Sequence, residues 1–198
     1  MLLRDRFYLS LTEIERKEMY DLWIKVHKYH ARDVMRLRTF RKLREIEYDR
    51  LPIFMYNAVI QPEDKLYETD VVYEDRYHKY IKDFGKEDDF ALVCDDDGRV
   101  SGIIWTRLFK ESDKSFGFVD EETPELTLSV LAGYNEQSIG KELLELLFNE
   151  LKIRGYKQVS VSIGEDNEIF DVYTLVGFEE VECKNCGDDK RVTLLKKL

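Results

Sequence analysis

Residues 124–155 read PELTLSVLAGYNEQSIGKELLELLFNELKIRG, and two periodicities meet inside them. Leu126, Leu128 and Val130 alternate with Thr127 and Ser129, the period of two of a strand that turns one face to a core. After a turn spanning Tyr134 to Gly140 the period changes. Leu143, Leu144, Leu147, Phe148 and Leu151 fall at spacings of three and four, the apolar stripe of a helix laid on a sheet. Lys152 and Arg154 sit in the last turn, where cations suit the helix dipole, and Gly155 follows as a residue free to take positive φ. A strand that feeds a helix through a short polar turn aims the helix's unpaired N–H groups and positive dipole end into that turn. Such a turn is a physical anion site.

Further along, residues 167–178 read NEIFDVYTLVGF, and the element order is strand, turn, helix, a strand over 157–163, a helix over 167–176, then two strands. Together these segments resemble the acyl-CoA site of the GNAT N-acetyltransferase superfamily. That family closes its central strand with an [Arg/Gln]-x-x-Gly-x-[Gly/Ala] turn, whose backbone N–H groups hold the CoA pyrophosphate. The matching residues are Asn135, Glu136, Gln137, Ser138, Ile139 and Gly140. Ile139 and Gly140 fit, whereas Asn135 replaces a longer and usually cationic side chain, Ser138 a glycine, and Glu136 adds a negative charge. The later segment is similar to the family's Asn-x-x-x-x-x-Tyr-x-x-x-Gly-Phe, with Asn167, Tyr173, Gly177 and Phe178.

The resemblance covers residues 89–198 and implies a fold of the α/β (α+β) class: a mixed central sheet of six to seven strands flanked by helices, with a splayed parallel pair at the acyl-CoA site. It implies one domain over 1–198, in which 1–88 form a variable helical acceptor side and 89–198 the acyl-CoA core. The implied activity is transfer of an acetyl group from acetyl-CoA to a primary amine by direct attack in a ternary complex. The alternative is a non-catalytic module that binds an acyl-CoA or a protein, which the altered turn favours. Cofactor contacts are expected from Val130, Leu131, Asn135, Gln137, Ser138, Ile139, Gly140, Lys141 and Asn167. A backbone N–H at Val130 or Leu131 would polarise the thioester, a role that leaves little trace in side chains.

Two side chains are candidates for proton transfer. Tyr173 would protonate the departing thiolate, since a phenol is neutral and available at pH 7. Glu125, at the start of the central strand, would take the amine's proton directly or through water, against the alternative of a solvated carboxylate whose pKa is too low for a base.

Composition limits the remaining classes. The chain has 198 residues, 43% of them hydrophobic, and a net charge of -10, which fits one soluble domain and disfavours nucleic acid as a partner. No apolar run fits a membrane span or signal peptide, and three cysteines point to a reducing compartment, so a cytoplasmic protein is expected. The partners expected are a small-molecule or peptide amine; a homodimer stays open. No protease, esterase, NTPase or metal pattern is complete, and no metal is expected. Cys183 and Cys186 form a C-x-x-C at the expected last hairpin turn, but supply only half of a tetrahedral site.

Earlier in the chain, a strand over 6–11 is expected, then helical periodicity from Ile14 to about Glu47 with a break near His30–Asp33. Its second half is basic through Arg32, Arg36, Arg38, Arg41, Lys42 and Arg44. Residues 52–62, bounded by prolines, are expected to be extended or turned rather than helical. Val72, Tyr73, Tyr77, Tyr80 and Ile81 fall at helical spacing over 69–84, packed in the core or lining substrate. A hairpin is expected around the turn before Gly98, and a loop over 115–122.

Overall fold

Among the described residues seven strands form one mixed sheet, and the alternating stretch read from the sequence is its fourth and central strand. The computed structural model describes residues 38–59, 69–134, 138–164, 169–186 and 189–198. The elements are β1 (Arg38–Lys42), a 3-10 turn (Glu45–Arg50), α1 (Leu51–Val59), a second 3-10 turn (Thr69–Tyr73) and α2 (Asp75–His78). There follow β2 (Phe90–Asp96), β3 (Arg99–Arg107), β4 (Glu125–Val130), α3 (Ile139–Ile153), β5 (Gln158–Gly164), α4 (Phe170–Leu175), β6 (Glu179–Cys186) and β7 (Asp189–Lys197). The sheet order is β1-β2-β3-β4-β5-β7-β6; neighbours β2–β3, β3–β4, β5–β7 and β6–β7 are antiparallel, and β4–β5 is parallel. Residues Thr39–Leu198 make one compact unit. Among the described residues no helix is long and apolar enough to cross a membrane.

The helix read from 139 to 153 packs as its stripe requires. Leu143, Leu144, Leu147, Phe148 and Leu151 are buried against Ile104, Leu126, Val159, Val161 and Ile163 on one face of the sheet. Each contributes roughly 1.5–3 kcal/mol by leaving water. Gly102 on β3 permits the close approach, since a Cβ there would lie 2.9 Å from Ile139 and 3.3 Å from Leu143. The other face, Ala91, Val93, Ile103 and Trp105, is covered by Leu51, Phe54 and Met55 of α1 and by Val72, Tyr77 and Tyr80. Asp97 and Gly98 take φ of 54° and 84°, the positive pair that closes a two-residue hairpin between β2 and β3. Ser115–Glu122 is a loop, as expected.

Four readings change. The strand expected over 6–11 and the helices from Ile14 lie outside the described residues, but their described tail, Arg38–Lys42, is a strand. Chain pairing outweighs helical periodicity there: the segment joins the sheet beside β2, and Leu43 N–H continues to Ala91 O at 3.0 Å. Within the basic run, Arg41 is bound up locally, reaching Asp95 at 2.8 Å and Glu47 at 2.7 Å. Residues 51–59 are helical, because Pro52 stands in the first turn, where a missing N–H costs nothing. Residues 69–84 are not one helix but a 3-10 turn, the single turn of α2 and further turns; their apolar register survives, with Val72, Tyr77, Tyr80 and Ile81 buried and Tyr73 exposed. Cys183 and Cys186 lie in strand β6 rather than in the turn.

Candidate active site

Three features lie along β4, two at its second half and one at its start. The first is a divergence of strands. Leu131 N–H donates to Ser101 O at 2.9 Å, and because N–H groups alternate sides along an antiparallel strand, those of Leu128 and Val130 point the other way, toward β5. There β5 registers with β4 at one pair, Glu125 with Ser160, secured by Ser160 N–H to Pro124 O at 3.0 Å. Beyond that pair Leu128 and Val130 present their N–H groups to a gap. The structure therefore separates the two expected donors: Val130 faces the gap, while Leu131 is spent on β3. Leu128, which the sequence reading missed, joins Val130 by strand parity.

The second feature is the start of α3. Asn135 and Gln137 lie outside the described residues, as does Glu136. Ser138 occupies the N-cap at φ 59° and ψ 10° and makes no side-chain cap. Left-handed backbone favours glycine, the residue the family pattern has where Ser138 stands. Without a side-chain cap, the first-turn N–H groups of Ile139, Gly140 and Lys141 have no hydrogen-bond partner among the described residues and stand at the positive dipole end. Ile139 is buried as an anchor under the turn, and Gly140 sits against Leu128, 3.4 Å from where a Cβ would be. Lys141 is exposed and shares its charge with Glu145 at 3.9 Å. Chemically the first turn of α3 offers an anion backbone donors.

The third is a polar cluster on the face opposite α3. Glu125 is not solvated: it is 3% exposed. Tyr80 Oη donates to one carboxylate oxygen at 2.9 Å, and Gly117 N–H at 3.0 Å and Ser115 Oγ to the other. Tyr80 Oη in turn accepts from Phe116 N–H at 2.9 Å. Burial pushes the Glu125 pKa up, against the opposing pull of these donors and of the Arg191 charge. Gly117 must be glycine, because a Cβ there would stand 2.8 Å from the Glu125 carboxyl and 3.1 Å from Ser162 N. Burial likewise raises the Tyr80 hydroxyl well above its ordinary value, so it stays a donor. Sequence spacing carried no sign of Ser115, Gly117 or Arg191, since each reaches Glu125 from another segment.

Tyr173 on α4 is also 3% exposed and packs edge-on against Phe178 with ring centroids 5.3 Å apart. Burial alone pushes its pKa well up, which keeps the phenol protonated and makes it a hydrogen-bond donor rather than a ready acid. Asn167 lies outside the described residues. Asn57 of α1, also missed, donates to Ser129 Oγ at 2.9 Å and Val130 O at 3.1 Å, tying α1 to the end of β4. A cavity of about 440 Å³ lined by Lys79, Asp89, Arg107, Phe109 and Asp113 lies away from the gap, at the end of the sheet where Arg107 of β3 pairs with Glu125. Its arginine is committed to Asp89 at 2.7 Å.

A mixed sheet whose central strand parts from its parallel neighbour beside the start of α3 defines an α/β protein. Residues 51–178 match the sequence model of the acetyltransferase (GNAT) family, and the chain belongs to that family. No curated protein sequence matches it. Solved structures with the same fold include a ribosomal-protein-S18-alanine N-acetyltransferase from Escherichia coli (16% identity, TM-score 0.58, covering 81% of this chain and 94% of that one). A ribosomal-protein-alanine N-acetyltransferase from Brucella melitensis aligns at 18% identity and TM-score 0.58, over 81% and 99% of the two chains. A PaiA N-acetyltransferase from Thermoplasma acidophilum in complex with coenzyme A aligns at 18% identity and TM-score 0.57, over 81% and 99%. At these identities the likeness speaks for the fold.

Proposed function

We propose that the protein is an N-acetyltransferase that moves an acetyl group from acetyl-CoA to a primary amine by direct attack in a ternary complex, in the cytoplasm. The observation that carries this reading is the gap between β4 and β5 opening beside the uncapped start of α3. Bound there, acetyl-CoA supplies an activated thioester. Backbone N–H groups of Ser138 to Lys141 hold its phosphates. Val130 and Leu128 N–H groups stabilise the negative charge that builds on the thioester oxygen. As the amine nitrogen bonds to the carbonyl carbon and the C–S bond breaks, Glu125 receives the amine's proton through water, its raised pKa suiting it to that role. Tyr173 donates a hydrogen bond to the sulfur that leaves, and the thiolate takes a proton from water to become a thiol.

The burial of both Glu125 and Tyr173 favours a second reading, a module that binds an acyl-CoA or a protein without turnover. Calorimetric titration with acetyl-CoA, followed by thiol-release assays on an amine panel, separates the two. Micromolar binding, weakened at least about tenfold in Gly140→Trp and accompanied by turnover that Tyr173→Phe slows by about ten- to hundredfold, supports the enzyme. Binding without turnover supports the module. No binding at millimolar ligand would remove the enzyme and the acyl-CoA module and leave only a protein-binding role.

A further inference from the structure

Arg191 is the basis for an inference about the acceptor, and it rests on the acetyltransferase reading. Its guanidinium lies over the Phe116 ring at 4.6 Å, with Nε donating to Ser162 Oγ at 3.0 Å and one terminal nitrogen to Ser162 O at 3.0 Å. The other terminal nitrogen makes no hydrogen bond among the described residues. Arg41, Arg44, Arg76, Arg107 and Arg154 each hold a carboxylate; among the described residues half-buried Arg191 holds none. A planar fork fixed by stacking and by two bonds on one edge is preorganised to take a carboxylate on the other.

Its place in the sheet makes that carboxylate part of an acceptor. Arg191 registers with Gly164, at the end of β5. Counting from the pair Glu125–Ser160, that end lies level with Ser129 of β4. Val192 and Leu194 point into the α3 core, so Arg191, like Ser162, lies on the opposite face with Glu125. Two strand spacings, the second widened where β4 and β5 part, put the guanidinium at least about 10 Å from the second half of β4. An amine at the gap and a carboxylate at Arg191 would belong to one extended molecule.

We propose that Arg191 receives a carboxylate of the acceptor, so that the enzyme acetylates amines that also carry a carboxylate several bonds away. The test compares wild type, Arg191→Gln and Arg191→Lys on 6-aminohexanoate, glycylglycine and the twenty amino acids, each beside its carboxamide. The readout is kcat/KM by thiol release. Wild type is expected to prefer at least one free acid over its carboxamide by ten- to hundredfold, on the order of a charge-assisted hydrogen-bonded pair. Arg191→Gln should bring that ratio to near one, and Arg191→Lys should keep part of it. The ratio is the readout because losing Arg191 also changes the field at Glu125 and hence absolute rates. Equal use of acid and carboxamide by wild type, acetylation of none of these acids, or a preference that survives in Arg191→Gln would overturn the proposal. Each of those results leaves the broader acetyltransferase reading to stand or fall on acetyl-CoA binding and on turnover with other amines.

Discussion

The two faces of the sheet are built by different means. On the α3 face a single continuous stretch supplies both the strand and the helix, and Leu126, Leu143, Leu144, Leu147 and Leu151 meet in an apolar core. On the other face the groups around Glu125 come from Tyr80, Ser115, Gly117 and Arg191, held by hydrogen bonds and charge. The apolar face depends on volume and spacing; the polar face depends on every partner being in place. Nondirectional burial tolerates approximate patterning, whereas a buried carboxylate is costly unless each of its lone pairs finds a donor.

That contrast can be broken from either side. Leu147→Ala, which opens a cavity in the apolar face, is expected to lower stability by about 2–5 kcal/mol in urea denaturation. A loss below about 1 kcal/mol would mean that the face is loosely packed. On the polar face, Glu125→Gln retains shape but sets an amide N–H₂ against donors, for an expected loss of about 1–3 kcal/mol at low pH.

The pH dependence sharpens the distinction. Glu125's pKa is raised by burial, so its contribution is fully present below the ordinary 4.5 and is lost as pH rises through the raised value. Glu47 and Asp95 are shifted the other way, chiefly by the hydrogen bonds of Arg41. Their contributions are present above the ordinary values of 4.5 and 3.8 and are lost as pH falls. Glu125→Gln should therefore remove the decline of stability on the neutral side and leave the acid limb in place. A change confined to the acid limb would contradict the assignment of that decline to Glu125. The smallest effect is expected at the junction of the two faces, where Ser138→Gly relieves a left-handed backbone and shifts stability by less than about 1 kcal/mol. A loss of more than that would show that the Ser138 side chain is itself needed at the turn.

The family's outline was legible because its signals are local. The period of two in β4, the stripe of α3, Gly155 at its end and the Asp97–Gly98 turn each lie within a few residues, and each formed as read. Misreadings arose where distant chain decided. Arg38–Lys42 carries a helical-looking pattern, yet becomes a strand beside β2. Pro52 suggested a break and instead opens a helix.

The site divides the same way. α3 begins where the resemblance placed its start, and Ser138, standing where the family pattern has glycine, takes a left-handed backbone. Which N–H faces the gap could not be read from Val130 and Leu131 alone, because that is a matter of strand parity and pairing partner. Glu125 could be picked out by position, but its burial, its three donors and the nearby Arg191 arise from segments that approach only when the sheet closes. The sequence by itself determined the periodic elements and their order, since propensity and apolar spacing act between near neighbours. The tertiary structure alone decided the divergence of β4 from β5, the environment of Glu125 and the unclaimed edge of Arg191, since these depend on which strands pair and in what register.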